Sequence, residues 1–317
     1  MSDDLSRDIR AVVAAAAKDS PHLSYSRLVD LGWDDVLAEE PRVAVAALFE
    51  ETGRLLLTGA ALDVVVLQAL NGGRSATGTR VAYPLPRRST LDRDGHLEGV
   101  VLDGLTSEVA TVVLPVSGAD GVVLAEAPAT ACATSPIAGL DASAGWHRVT
   151  VQSAALTPVP DADWSAGLAA GRRALAHQLV GTCEELLRIA VEHVKVREQF
   201  GRPLGANQAV QHRLADARVD LAAAEVVVAE AWLTETAMAA AAAKGLAGRA
   251  LDRVGAAGQQ VLGGIGYTWE HPWRHPLRRG MLLSSLLGGA DECEEEVGAG
   301  LVSAGVPRIG GLVEATR

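Results

Sequence analysis

Two short motifs in the C-terminal third carry residue types suited to holding a phosphorylated ligand. The first is Val196-Arg197-Glu198-Gln199-Phe200-Gly201-Arg202-Pro203-Leu204, followed by Asn207-Gln208-Ala209-Val210-Gln211. It ends one helix, turns on Gly201 and Pro203, and begins the next. A planar guanidinium such as that of Arg197 can grip a diphosphate through paired, charge-assisted hydrogen bonds. An arginine at a helix C-terminus also complements the helix dipole, and from the residues alone both roles stay open. The second motif is Gln259-Gln260-Val261-Leu262-Gly263-Gly264-Ile265-Gly266-Tyr267-Thr268-Trp269-Glu270. Its glycines suit a left-handed helix cap; they equally let another molecule approach the backbone and meet its N–H groups. No strand precedes them, so this is not a dinucleotide-binding fingerprint.

Other chemistry is thinly represented. His271 and His275 are four residues apart, but Pro272 and Pro276 interrupt their helix and no third ligand is near, so no metal site is expected. His177, His193 and His212 fall on helices as packing or surface residues. Trp269 and Trp273 suit interface anchors or core packing equally. The acidic run Asp291-Glu292 and Glu294-Glu295-Glu296 fits a solvated helix start. Cys132, Cys183 and Cys293 lie far apart and read as reduced thiols of a cytoplasmic protein.

The elements that must position the motifs are mostly helical. The chain has 317 residues, 49% of them hydrophobic, chiefly Ala, Leu and Val, and a formal charge of −11. An acidic surface disfavours nucleic acid and anionic membranes as partners, and neither a signal peptide nor a membrane span is apparent. Residues 1–70 read as an N-terminal helical domain with runs Leu5–Ala17, Tyr25–Glu39 and Val43–Leu57. After Asn71-Gly72-Gly73, residues 71–155 read as a reduced β-domain. Its strands are Arg80–Tyr83, His96–Val101, Val109–Val116 and a closing Val149–Val151, with Pro84–Asp94 as loop. Residues 156–317 read as an antiparallel four-helix bundle: Ala162–Arg197, Asn207–Met238, Ala239–Leu262, and a last helix following Pro276. In the second of these, Val210, Leu214, Ala217, Leu221, Ala224, Val228 and Trp232 recur at helical spacing and form one apolar stripe.

In this order and setting, the two motifs resemble the C-terminal domain of the acyl-CoA dehydrogenase family. The similarity is specific from about Gly171 to Gly288 and includes Leu214-Ala215-Asp216. It is fainter at Leu31-Gly32-Trp33 and Glu50-Glu51-Thr52-Gly53-Arg54. The resemblance implies a mainly α fold with a middle β-domain, and an FAD held across a subunit interface. Arg197 would then pair with the FAD diphosphate and Phe200 would pack on the cofactor. Gln260, Gly263 and Gly264 would line its adenosine end, and Gln199 would be a further contact.

The departures from the family are as informative. Its catalytic carboxylate usually stands at the position of Leu287, or in some members at that of Gly171. Neither residue can take a proton, so no catalytic residue is expected in this chain. The family's flavin-cradling strand motifs have no match between Gly72 and Val151. The pattern is similar to the small subunits of the α2β2 heterotetrameric enzymes that actinobacteria use in sterol catabolism. It implies a larger partner subunit carrying the base, the main FAD site and most of the contact with a steroid-derived acyl-CoA. Two other readings remain: a homomeric dehydrogenase with a displaced base near Asp291, and a non-catalytic scaffold that keeps only the fold.

Overall fold

The computed structural model describes residues 2–70, 76–86, 95–118, 121–160 and 162–304. The turn expected at Asn71-Gly72-Gly73 and most of the loop expected after Pro84 lie outside them. The N-terminal helices are α1 (Ser2–Asp19), α2 (Tyr25–Asp30), α3 (Trp33–Glu39), α4 (Pro41–Leu55) and α5 (Ala61–Ala69). Two short strands, β1 (His22–Leu23) and β2 (Thr58–Gly59), pair in parallel between them. The single run expected over Tyr25–Glu39 is broken because Gly32 adopts φ +72, which a helix cannot continue through. α4 lies against the long helix α6 (Trp164–Val196). Gly53 and Gly181 set that approach, since a Cβ on either would strike the backbone of the facing helix.

The middle region holds two four-stranded sheets. β3 (Thr79–Val81) and β4 (Tyr83–Pro84) are separated only by Ala82, so the chain steps from one sheet to the other there. With β5 (His96–Val101), β6 (Thr111–Gly118), β7 (Gly121–Pro128), β8 (Cys132–Pro136), β9 (His147–Gln152) and β10 (Thr157–Pro158), the sheet orders are β10-β7-β6-β3 and β4-β5-β9-β8. All pairs are antiparallel except β3–β6. Leu97, Val101, Val112, Leu114, Val149 and Val151 alternate inward and form a small core of their own. The strands expected from the sequence include no counterpart for β7, β8 or β10.

A buried polar network ties this region to the N-terminal helices. Asp63 of α5 is fully buried; it accepts from the Tyr83 hydroxyl (2.7 Å) and the Val81 N–H (3.4 Å). Burial pushes its carboxyl up to about 6, against the pull of Tyr83 and Arg80.

After α6 come a hairpin of β11 (Glu198–Gln199) and β12 (Arg202–Pro203), then α7 (Gln208–Thr234), α8 (Ala237–Leu262), α9 (Arg274–Ser285) and α10 (Ala290–Ala304). α7 stops four residues before the expected Met238. Glu235 turns left-handed (φ +51), and Thr236 caps α8 by accepting the Ala239 N–H (3.1 Å). Pro276 sits in the first turn of α9 rather than before it, where its missing N–H costs nothing. The bundle is α6, α7, α8 and α10, with α9 packed on α6. Of the α7 stripe, Leu214, Ala217, Leu221, Ala224 and Val228 are buried, and Val210 and Trp232 are half-buried. No helix among the described residues is long and apolar enough to cross a membrane.

Candidate functional site

The last turn of α6 ends on Arg197, whose N–H donates to His193 O (2.9 Å) while its own carbonyl accepts from Leu204 N–H (2.8 Å). Between these points the chain makes a two-residue hairpin, pairing Glu198 with Pro203 and Gln199 with Arg202. Phe200 and Gly201 both have positive φ, +56 and +75, the signature of a type I′ turn. Glycine takes that conformation at no steric cost; a phenylalanine takes it at a cost of about 1 kcal/mol. The Phe200 ring stands clear of the protein, 97% exposed. Gln199 is exposed and its amide donates to Glu198 O (2.8 Å). Asn207 then caps α7 through the Ala209 N–H (3.0 Å). Arg197 is exposed, and no ion pair closes on its guanidinium among the described residues.

α8 ends on the glycine motif. Gly263 has φ +62 and its N–H caps the helix onto Gln259 O. Nothing lies within 4 Å of where a Cβ on Gly264 would sit, so the chain's own packing does not require glycine there; the missing side chain leaves room for another molecule. Adjacent glutamines divide the work. The Gln259 side chain is an internal pin between Gly263 O (3.2 Å) and Trp273 Nε1 (3.1 Å). Gln260 faces out. Trp273 is fully buried against α8, its ring occupying the space a Cβ on Gly258 would need. Trp269, by contrast, is 68% exposed and stacked beneath Arg274 (4.0 Å), with Arg278 at 5.2 Å.

The structure brings the two motifs to one end of the bundle. α6 and α8 both terminate there, and His193, one turn before Arg197, meets His271 edge-to-face with ring centroids 5.7 Å apart. Burial first, then the neighbouring His271 and Arg197, hold His193 below the ordinary imidazole range. This is a cationic, aromatic surface on an acidic protein. Guanidinium, exposed ring and open glycine backbone suit a dinucleotide such as FAD: the first for its diphosphate, the second for a flat face, the third for close approach. His275 lies within α9 while His271 precedes it, so they share no helix face. No group of three or more metal-ligating side chains forms among the described residues.

The two positions at which the family keeps its base lie elsewhere, and they touch. A Cβ on Gly171 would stand 2.7 Å from Leu287 Cδ1 and 3.0 Å from Val66 Cγ2. Leu287 is buried, with φ +58. Its turn is clamped from behind: Arg172 Nε donates to Leu287 O (2.9 Å), and the buried Lys244 ammonium donates to Ser284 O (2.8 Å) and Gly288 O (3.1 Å). Burial drives the Lys244 amine down to about 8. Four of the five carboxylates of the acidic run are engaged among the described residues, Glu295 being the exception. Asp291 and Glu294 pair with Arg249, Glu296 pairs with Arg172 (2.8 Å), and Glu292 accepts the Gly289 N–H (2.7 Å). This matches a capped, solvated helix start. Lys244 and Arg172 carry no motif in sequence; a lysine at an apolar-stripe position was the one legible sign of the clamp.

The model of the acyl-CoA dehydrogenase C-terminal domain matches residues 163–300. Acyl-CoA dehydrogenase IpdE2 of Mycobacterium tuberculosis is 47% identical over 97 residues, covering 31% of this chain and 30% of that protein. Acyl-CoA dehydrogenase FadE34 of the same organism is 32% identical over 291 residues, 83% of this chain and 39% of that protein. The chain thus spans about a third of the length of the curated relatives it matches. Among solved structures, a Tcur3481-Tcur3483 steroid ACAD variant superposes with a TM-score of 0.76 at 21% identity, covering 97% of this chain and all of that one. The ChsE4-ChsE5 complex from Mycobacterium tuberculosis gives 0.71 at 20% identity, covering 97% and 98%. At these identities the likeness is one of fold.

Proposed function

We propose that this chain, whose residues 163–300 belong to the acyl-CoA dehydrogenase family and whose architecture is that family's fold, is the non-catalytic subunit of a heteromeric, FAD-dependent acyl-CoA dehydrogenase. The reaction removes a proton from Cα of an acyl-CoA thioester and a hydride from Cβ. Bound FAD supplies the hydride acceptor. The proton needs a positioned carboxylate, and that comes from the partner. The observation that carries the reading is the contact between Leu287 and Gly171, which fills both base positions with packed hydrocarbon or no side chain at all.

What this chain contributes is binding. Arg197 holds the diphosphate with its guanidinium, and the Phe200 ring covers the cofactor and excludes water. Gln260, with the open backbone of Gly263 and Gly264, lines the adenosine end, and Gln199 flanks the turn. The exposed Phe200, Tyr267 and Trp269 are buried when the larger subunit docks; large exposed aromatics in one region are what an interface core uses. The assembly is an α2β2 heterotetramer with one working site per pair. A steroid-derived thioester as substrate is supported by the fold shared with the steroid ACAD and ChsE4-ChsE5 structures. Arg197→Ala in the co-expressed complex tests this directly. Loss of a bidentate charge-assisted contact weakens flavin retention about tenfold to a hundredfold, read by flavin absorbance after gel filtration. Unchanged retention would refute the role given to Arg197.

A further inference from the structure

We propose that His193 and His271 join Arg197 in one anion grip, in which His271 offers a neutral N–H donor and His193 takes up a proton as a diphosphate binds. This rests on the reading of Arg197 as a diphosphate contact and adds to it two residues and a pH dependence.

The tautomer of His271 is set by its neighbour. The Trp273 backbone N–H donates to His271 Nδ1 (3.2 Å). A ring nitrogen that accepts carries no proton, so the neutral ring keeps its proton on Nε2. Charging His271 would strand the N–H of a buried tryptophan, which costs about 1–3 kcal/mol. His271 therefore resists protonation and keeps Nε2–H as its remaining donor. Burial lowers its ring below the ordinary imidazole range in the same sense.

His193 has no such bond. It sits one helical turn before Arg197, and its ring meets that of His271 at 80°. The groups acting on it are Arg197 on its own helix and His271 on the opposing segment, and no carboxylate is among them. Glu192 and Lys195 close on each other (2.8 Å). Glu198 and Glu270 are exposed, where solvent and salt screen them. The neighbouring segments add Arg202, His212, Arg274 and His275. Left empty, the cluster repels a proton from His193; a bound diphosphate reverses the field and draws one in. By linkage, affinity is full below the imidazole value of the free chain and is lost as pH rises through the raised value of the complex.

ADP-ribose is the probe, because its diphosphate diester keeps the same charge across this range. Its affinity for the full chain, measured by calorimetry between about pH 5.5 and about pH 8.5, should fall towards tenfold per pH unit across the imidazole range, the slope for one proton. His193→Gln should flatten that slope, with circular dichroism showing the helix content unchanged. His271→Phe, which keeps an aromatic ring but deletes both the Nε2 donor and the Nδ1 acceptor of the Trp273 N–H, should weaken binding about fivefold at every pH, with circular dichroism showing the helix content unchanged. A slope that persists in His193→Gln overturns the proposal, as does failure of the wild-type chain to bind millimolar ADP-ribose at the acid end. If Arg197→Ala binds like wild type, the reading of Arg197 itself fails. If Arg197→Ala loses binding while His193→Gln keeps its slope, only the histidine grip fails.

Discussion

At the end of the bundle where α6 and α8 stop, side chains stand out into solvent: Phe200 on a strained hairpin, Trp269 under two guanidiniums, and Arg197 with no counter-ion among the described residues. At the start of α6 the opposite holds. Gly171 lies under Leu287, Val66 and Leu62, and the turn carrying Leu287 is fastened by two buried cations. The same helix, α6, runs through both. The first spends conformational strain and unpaired charge on a surface that is useful only when something docks there. The second buries its side chains, Leu287 among them, beside a cavity lined by Trp164, Leu168 and Arg172. A protein that worked alone would need the second region open and polar. One that completes a neighbour's site needs only the first.

The largest effect that could break this contrast is at Leu287. Leu287→Glu restores the family's carboxylate to its usual position but forces it against Val66, Leu62 and the Gly171 backbone. We predict a loss of about 2–4 kcal/mol of stability in denaturant melts and no turnover by the isolated chain. Turnover, or a melt unchanged within error, would mean that the closed region is an open site after all. A smaller effect sharpens the other half. Phe200→Gly relieves the left-handed strain and removes an exposed ring, so the isolated chain should gain about 1 kcal/mol. The same change should weaken flavin retention in the complex. Opposite signs for stability and binding mark a residue kept for function; a loss of stability would mark Phe200 as packing.

Much of the helical architecture was legible in the sequence because its signals are local. The apolar stripe of α7 repeats at helical spacing, and of its buried members only Ala231 was not among those expected. Caps and breaks were less so: Gly32 splits a helix and Glu235 ends one, through backbone angles that residue type only biases. β8 escaped notice because Cys132–Pro136 is an exposed edge strand with no inward alternation. The site was legible in kind, since Arg197, Phe200, Gln260 and Gly264 sit in recognisable motifs. Its supporting contacts were not. That Leu287 rests on Gly171, or that His193 meets His271, depends on residues far apart in the chain, and only packing joins them. His177 shows the same limit. It is a buried link, bonded to Glu50 (2.8 Å) and Trp232 (3.0 Å), where sequence allowed either packing or surface.

On the proposed function, this chain completes a cofactor site without owning one. Flavin content tests it most directly: purify the chain alone and co-purified with its partner, and record flavin absorbance per chain before and after adding an acyl-CoA. The account predicts no retained flavin in the chain alone. In the complex it predicts about one flavin per pair of unlike chains, bleached by substrate. An isolated chain that is yellow and bleaches on its own would contradict it.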